Sequence, residues 1–232
     1  MVGEQYLKVK ADVAHMCEQG GRSSDACTLI AVSKTKPVDM LLEAYEAGCR
    51  DFGENKVQEL LDKYDKLPAD TRWHMIGHLQ TNKVKYIVDK VHLIHSVDSV
   101  RLAREISKEA VKKEVIVPVL LEVNVAEEES KYGFSAAELE SAVKEIAMLP
   151  GIQVKGLMTI APFVENSEDN RVYFCQLKQL AVDISAKNID NIDMNILSMG
   201  MTGDYLVAVS EGATYVRVGS GIFGNRIYDQ RR

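Results

Sequence analysis

A chain of 232 residues is longer than a disulfide-stapled miniprotein and shorter than two full-sized enzyme domains, so one domain over 1–232 is expected. Apolar residues make up 46% and charged residues 27%, a globular balance that excludes a disordered chain. Acids outnumber bases 34 to 28, which argues against non-specific binding of nucleic acid.

The first amphipathic segment, 4–19, carries Glu4, Lys8, Lys10 and Asp12 where a secretion signal needs an unbroken apolar stretch. After it, short apolar runs alternate with segments whose apolar residues recur every three or four positions. Strands are predicted at 28–33, 50–53, 72–76 and 92–96, separated by helices at 38–48, 55–66 and 81–89. A helix at 98–113 leads to a strand at 116–124, then a helix at 135–148 and a strand at 153–160. The series ends with a helix at 168–187, a strand at 194–198, a helix at 203–211 and a strand at 214–218. Ser135 with Glu138 three residues on reads as a capping box.

Eight strands without one-sided polar alternation point to the α/β class and a closed (β/α)8 TIM barrel. The extra N-terminal helix would fill the outer place of an eighth βα unit. An open doubly wound sheet is the alternative. The most apolar run, from Val115 to Val125, is broken by Pro118 and Glu122 and is shorter than the roughly 20 residues of a membrane span. Cys17, Cys27, Cys49 and Cys175 lack CxxC spacing and read as free thiols, mostly in the core, in a reducing compartment. A soluble cytoplasmic protein is expected.

In such a barrel the loops after the strands build the site. Strand one runs into Lys34, strand two into Glu54 and Asn55, and strand three into Gly77 and His78. Strand seven opens into SMGMTGD from Ser198, and strand eight carries Arg217 before Gly219, Ser220 and Gly221. Lys34, partly desolvated, could attack a carbonyl to form a Schiff base; a solvated strand-end lysine is the competing reading. Lys36 competes for the role, but it precedes Pro37 and should point to solvent. Gly200, Thr202 and Gly203, with Ser198, Gly219 and Ser220, look like an anion cradle, the loops after strands seven and eight being a common phosphate site. Taken singly, each glycine reads as an ordinary turn residue. A lysine opposite a phosphate cradle is the layout expected for pyridoxal 5′-phosphate. Arg217 could then face the ring nitrogen, or form an ordinary salt bridge.

The motifs AVSKTKP (31–37), FGEN-VQE (52–59), WHMIGHLQTNK (73–83), KGLMTI (155–160), LSMGMTGD (197–204) and VRVGSGIFG (216–224) occur in order. With them the chain resembles, from Leu29 to Ile227, the pyridoxal phosphate homeostasis proteins of the YggS/PROSC type. The resemblance implies a barrel like the N-terminal domain of alanine racemase, with Lys34 carrying the cofactor as an internal aldimine. It further implies Asn55 beside the ring, Arg217 at its nitrogen, and Ser198, Gly219 and Ser220 around the phosphate. Ser220 stands where threonine is frequent, and Gly203 replaces a more polar residue of some members. Lys131 matches a family lysine near the cofactor, its role left open.

His74, His78, His92 and His95 lack an HExxH context and are read as strand-core or surface residues, with no metal site. The run Glu127–Glu129 reads as a solvated loop. The function implied is holding pyridoxal phosphate and supplying it to apo-enzymes without catalytic turnover. An amino-acid racemase is the alternative. It would need a second acid/base group, which alanine racemase takes from a further domain on its partner subunit, and this sequence leaves no room for that domain. A monomer is therefore expected. A barrel enzyme acting on another phosphate ester, with Lys34 as base, is a weaker reading.

Overall fold

The computed structural model describes residues 1–128 and 131–224. Ile227, where the resemblance ends, and Glu129 of the acidic run lie outside the described residues. After α1 (Val2–Gln19), strand and helix alternate as β1 (Thr28–Val32), α2 (Val38–Glu46), β2 (Asp51–Glu54), α3 (Val57–Tyr64) and β3 (Arg72–Met75). A 3₁₀ segment at Thr81–Tyr86 stands where the sequence predicts a longer helix. Its neighbouring buried residues Val84 and Ile87 lie three apart, the repeat of a 3₁₀ turn. Next come β4 (Leu93–Val97), α4 (Val100–Lys112), β5 (Val117–Glu122), α5 (Ala136–Ala147) and β6 (Ile152–Met158). The chain continues through α6 (Arg171–Ser185), β7 (Ile192–Met201), α7 (Tyr205–Ser210), β8 (Tyr215–Val218) and the one-turn α8 (Ser220–Phe223). The capping box forms at α5, where Ser135 accepts from the Glu138 N–H.

The eight strands pair in sequence order and close into a parallel barrel. The seam is β1 on β8, from Thr28 opposite Tyr215 to Ala31 opposite Val218. Residues of β1–β8 that face the helices join one large core with apolar residues of α1 to α8. Val2, Tyr6, Val9, Val13 and Cys17 bury one stripe of α1, which packs against α2, α7 and α8. This is the outer place left by the shortness of α8. Cys17, Cys27 and Cys49 are buried and Cys175 is exposed, all four as free thiols.

The inward face follows from period two. On one side of the interior Leu93, Leu120 and Met158 form a separate apolar cluster joined by Ile160, Ile196 and Tyr215. The positions in phase with these residues on β4, β5, β7 and β8 are His95, Glu122, Ser198 and Arg217, all buried. The upper interior is thus polar. Among the described residues no helix is long and apolar enough to cross a membrane.

Candidate functional site

A cavity of about 560 Å³ opens at the carboxyl end of the barrel. Lys34, Asn55, Thr202, Arg217, Gly219 and Ser220 all line it. Lys34 follows β1 in a tight turn that the Lys36 N–H closes onto Ser33 O at 3.0 Å. Within the turn Thr35 takes φ 63°, a left-handed backbone that threonine adopts only when held there. Glu59 holds it, accepting the Thr35 N–H. Lys63, on the same helix, donates to Ser33 O at 2.8 Å, Glu54 Oε1 at 2.8 Å and Glu59 Oε1 at 2.7 Å. Ser33 Oγ donates to Glu54 Oε1 at 2.6 Å. Burial pushes the Glu54 carboxyl up, while Lys63 and Ser33 pull it down. Both neighbours of Lys34 are therefore tied to one ion-pair cluster.

Lys36 is a correction. The turn brings it back over the cavity wall, where Nζ donates to Phe223 O and Gly224 O at 3.0 Å each. It bridges the β1 and β8 loops instead of pointing away from them. Asn55 is set by Gly77, since a Cβ on Gly77 would come within 2.7 Å of the Asn55 backbone.

The two glycine-bearing loops meet where Thr202 Oγ1 accepts the Gly219 N–H at 3.3 Å. Ser198 and Gly200, expected in this cradle, are not among the cavity's lining residues. The cause is the length of β7, which runs on to Met201, so both are strand residues and not loop residues. Ser198 points into the barrel, 2.8 Å from His95 Nδ1 and 2.6 Å from Arg217 Nη1. Gly200, at φ 90°, lets α7 approach, since a Cβ there would meet Ala208 Cβ at 2.5 Å.

Arg217 uses Nη1 on Ser198 and Nη2 on Thr159 O, at 2.8 Å. Burial presses its guanidinium down to about 10, with Glu122 and Asp204 pulling the other way, which leaves it cationic at neutral pH. Glu122 lines a smaller cavity of about 140 Å³ that shares Lys131 and Ile160 with the first. Burial and the nearby Asp98 push the Glu122 carboxyl up to about 7, against Arg217. Lys131 Nζ binds Glu128 Oε1 at 2.5 Å.

Sequence reasoning missed the struts of the rim. Asp204 accepts from the Met201 N–H at 2.6 Å and from Asn170 Nδ2 at 2.7 Å, and Asn170 Nδ2 also reaches Pro162 O at 3.0 Å. Asp204 closes the quoted LSMGMTGD motif, so its position was available, but nothing local marks Asn170 as its partner.

The donor set lining the cavity has three parts: the Lys34 amine just after the first strand, the hydroxyl-bearing Thr202 and Ser220 after the last two strands, and the Arg217 cation. An aldehyde, a phosphate and an acceptor nitrogen on one small ring match these parts in kind.

The family described as alanine racemase, N-terminal domain, matches residues 11–226. A curated relative, the pyridoxal phosphate homeostasis protein of Aquifex aeolicus, is 44% identical over 97% of this chain and 98% of its own. The chain belongs to the pyridoxal phosphate homeostasis protein family. Among solved structures, an unknown protein from Bifidobacterium adolescentis superposes with a TM-score of 0.91 at 36% identity, over 96% of this chain and 94% of that one. PipY of Synechococcus elongatus with pyridoxal phosphate bound gives 0.80 at 34% identity, over 91% of this chain and all of PipY.

Proposed function

We propose that this protein, a single barrel domain, binds pyridoxal 5′-phosphate through a Schiff base at Lys34 and keeps it available to apo-enzymes as part of cofactor homeostasis. The observation that carries the reading is one cavity holding Lys34, Arg217 and the hydroxyls of Thr202 and Ser220. The PipY structure with the same cofactor bound and the names of the curated relatives support it. Thr202, Gly203, Gly219 and Ser220 take the phosphate, Asn55 lies beside the ring, and Arg217 donates to the ring nitrogen. Bound, the cofactor supplies a reactive aldehyde carbon and an electron-withdrawing ring.

Arg217 works against catalysis on that ring. A guanidinium cannot accept a hydrogen bond, so it leaves the ring nitrogen unprotonated and the ring a poor electron sink. Asp204, the carboxylate on the cavity wall, is engaged with Met201 and Asn170. Ligand holding without turnover follows.

The test is borohydride reduction of the loaded protein and peptide mass mapping. A pyridoxyl adduct on Lys34 is expected, and an adduct mainly on Lys36 or Lys131 would overturn the assignment. The same loaded sample, given single L-amino acids, should leave their chirality unchanged on chiral chromatography. Racemisation at about 1–10³ per second would make it an enzyme.

A further inference from the structure

Behind Arg217 an unbroken line of polar side chains crosses the barrel interior. Arg72 clamps the Asp51 carboxylate, Nε to Oδ1 at 2.8 Å and Nη2 to Oδ2 at 2.5 Å. Asp51 Oδ1 lies 3.0 Å from His74 Nε2, and His74 Nδ1 lies 3.0 Å from His95 Nε2. His95 Nδ1 is 2.8 Å from Ser198 Oγ, which is 2.6 Å from Arg217 Nη1. His74, His95 and Ser198 are wholly buried, so their polar atoms have to be satisfied within the line.

The direction of every hydrogen follows from the two ends. Burial would push the Asp51 carboxyl up, but the bonds from His74 and Arg72 outweigh it and bring it to about 2. Asp51 is therefore an acceptor only. At the other end a guanidinium only donates. Burial lowers the pKa of both histidines, and a neutral imidazole has one N–H. His74 must donate from Nε2 to Asp51, which leaves its Nδ1 bare toward His95. His95 must then donate from Nε2, leaving its Nδ1 bare toward Ser198. Ser198 donates to His95 and accepts from Arg217. With the carboxylate fixed, this is the assignment in which each donor meets an acceptor.

We propose that this line is the positioning device of Arg217: Asp51, acting through His74, His95 and Ser198, turns the serine oxygen into an acceptor aimed at Nη1. Together with Thr159 O on Nη2 it locks the plane of the guanidinium and leaves the rest of the fork to the cavity. Its bearing on ligands rests on the reading that Arg217 meets the ring nitrogen. The site then selects a heterocycle whose nitrogen arrives as an acceptor, because a protonated nitrogen would bring donor against donor. His95 and Ser198 are positioning residues that touch no ligand themselves.

The first arm of the test needs no cofactor. Long-range ¹H–¹⁵N spectra of the ligand-free full chain should show His74 and His95 neutral, each with its proton on Nε2. A proton on Nδ1 of His95, or an imidazolium at either residue at neutral pH, would overturn the proposal. The second arm compares Ser198→Ala with Ser198→Thr. In the alanine variant rotation about the Arg217 guanidinium should speed up, and the threonine variant should restore the slow rotation. With pyridoxal phosphate added, the alanine variant should bind about tenfold more weakly, the scale of one lost bond to a charged group, with its absorption band moved from the parent's. A variant that only melts earlier, with band position and guanidinium rotation unchanged, would reduce Ser198 to packing and refute the device. Failure of the parent to bind the cofactor would sink the proposed function, while the tautomer and rotation measurements would still decide the line.

Discussion

Lys63 is nearly as buried as the Glu54 carboxylate it serves, with 7% of its side chain exposed against 0%. Two charges taken out of water repay their desolvation only while they stay together. Replacing the ammonium with an apolar side chain of similar length leaves Glu54 and Glu59 without their cation. Lys63→Met is expected to cost about 3–5 kcal/mol in urea unfolding near neutral pH, and a loss under about 1 kcal/mol would show that the pair is not holding the turn. Lys34 sits between the two residues tied to this cluster, so the same substitution should also loosen the lysine that the proposed function relies on. Lys34 itself was legible in the sequence because a strand end fixes where its side chain starts. Lys63 was not, since a lysine on an amphipathic helix reads as solvated and only the packing of α3 under the β1 turn shows otherwise.

The strand β7 departs most from its sequence pattern. Ser198 and Gly200 are turn-forming types, so the eye ends the strand at 198, yet the ladder continues because Gly200 supplies a positive φ and a surface that Ala208 can approach. Gly200→Ala would place a methyl 2.5 Å from Ala208 Cβ, driving α7 off the barrel at roughly 1–3 kcal/mol. Thermal unfolding should register that cost. Pyridoxal phosphate affinity measured well below the melting point should stay within about threefold of the parent, since Gly200 does not line the cavity; a larger loss would return it to the cradle. The remaining strands were legible because apolar runs bounded by turns carry their own boundaries. The histidine line was not, because it joins β2, β3, β4 and β7, and no local signal records which inward residues of non-adjacent strands meet across a barrel.

At the scale of the whole molecule the polar interior makes stability depend on pH in two opposed ways. His74 and His95 have lowered pKa values in the fold. Their contribution is complete above the unfolded value of about 6.5 and is lost as pH falls toward the folded ones, at up to about 1.4 kcal/mol per unit for each. Glu122 is raised from 4.5 to about 7, so its contribution is complete below the unfolded value and is lost as pH rises through the folded one. Glu122→Gln removes only the second slope. Urea unfolding at pH 5 and pH 8 should show the variant gaining on the parent by about 2–3 kcal/mol between the two; a constant difference would mean that Glu122 ionises normally.

The seam between β1 and β8 adds a condition on timing. Lys34 leaves the ribosome well before Arg217 and Ser220, and the contact of Lys36 with Phe223 spans 187 residues. A chain stopped before its eighth strand would carry Lys34 and Thr202 without Arg217, Gly219 or Ser220. Closure is also a long-range event that pays its loop entropy before any contact across the seam repays it. Retained cofactor would thus report that the ring has closed, and by mass action it would stabilise closed molecules over open ones.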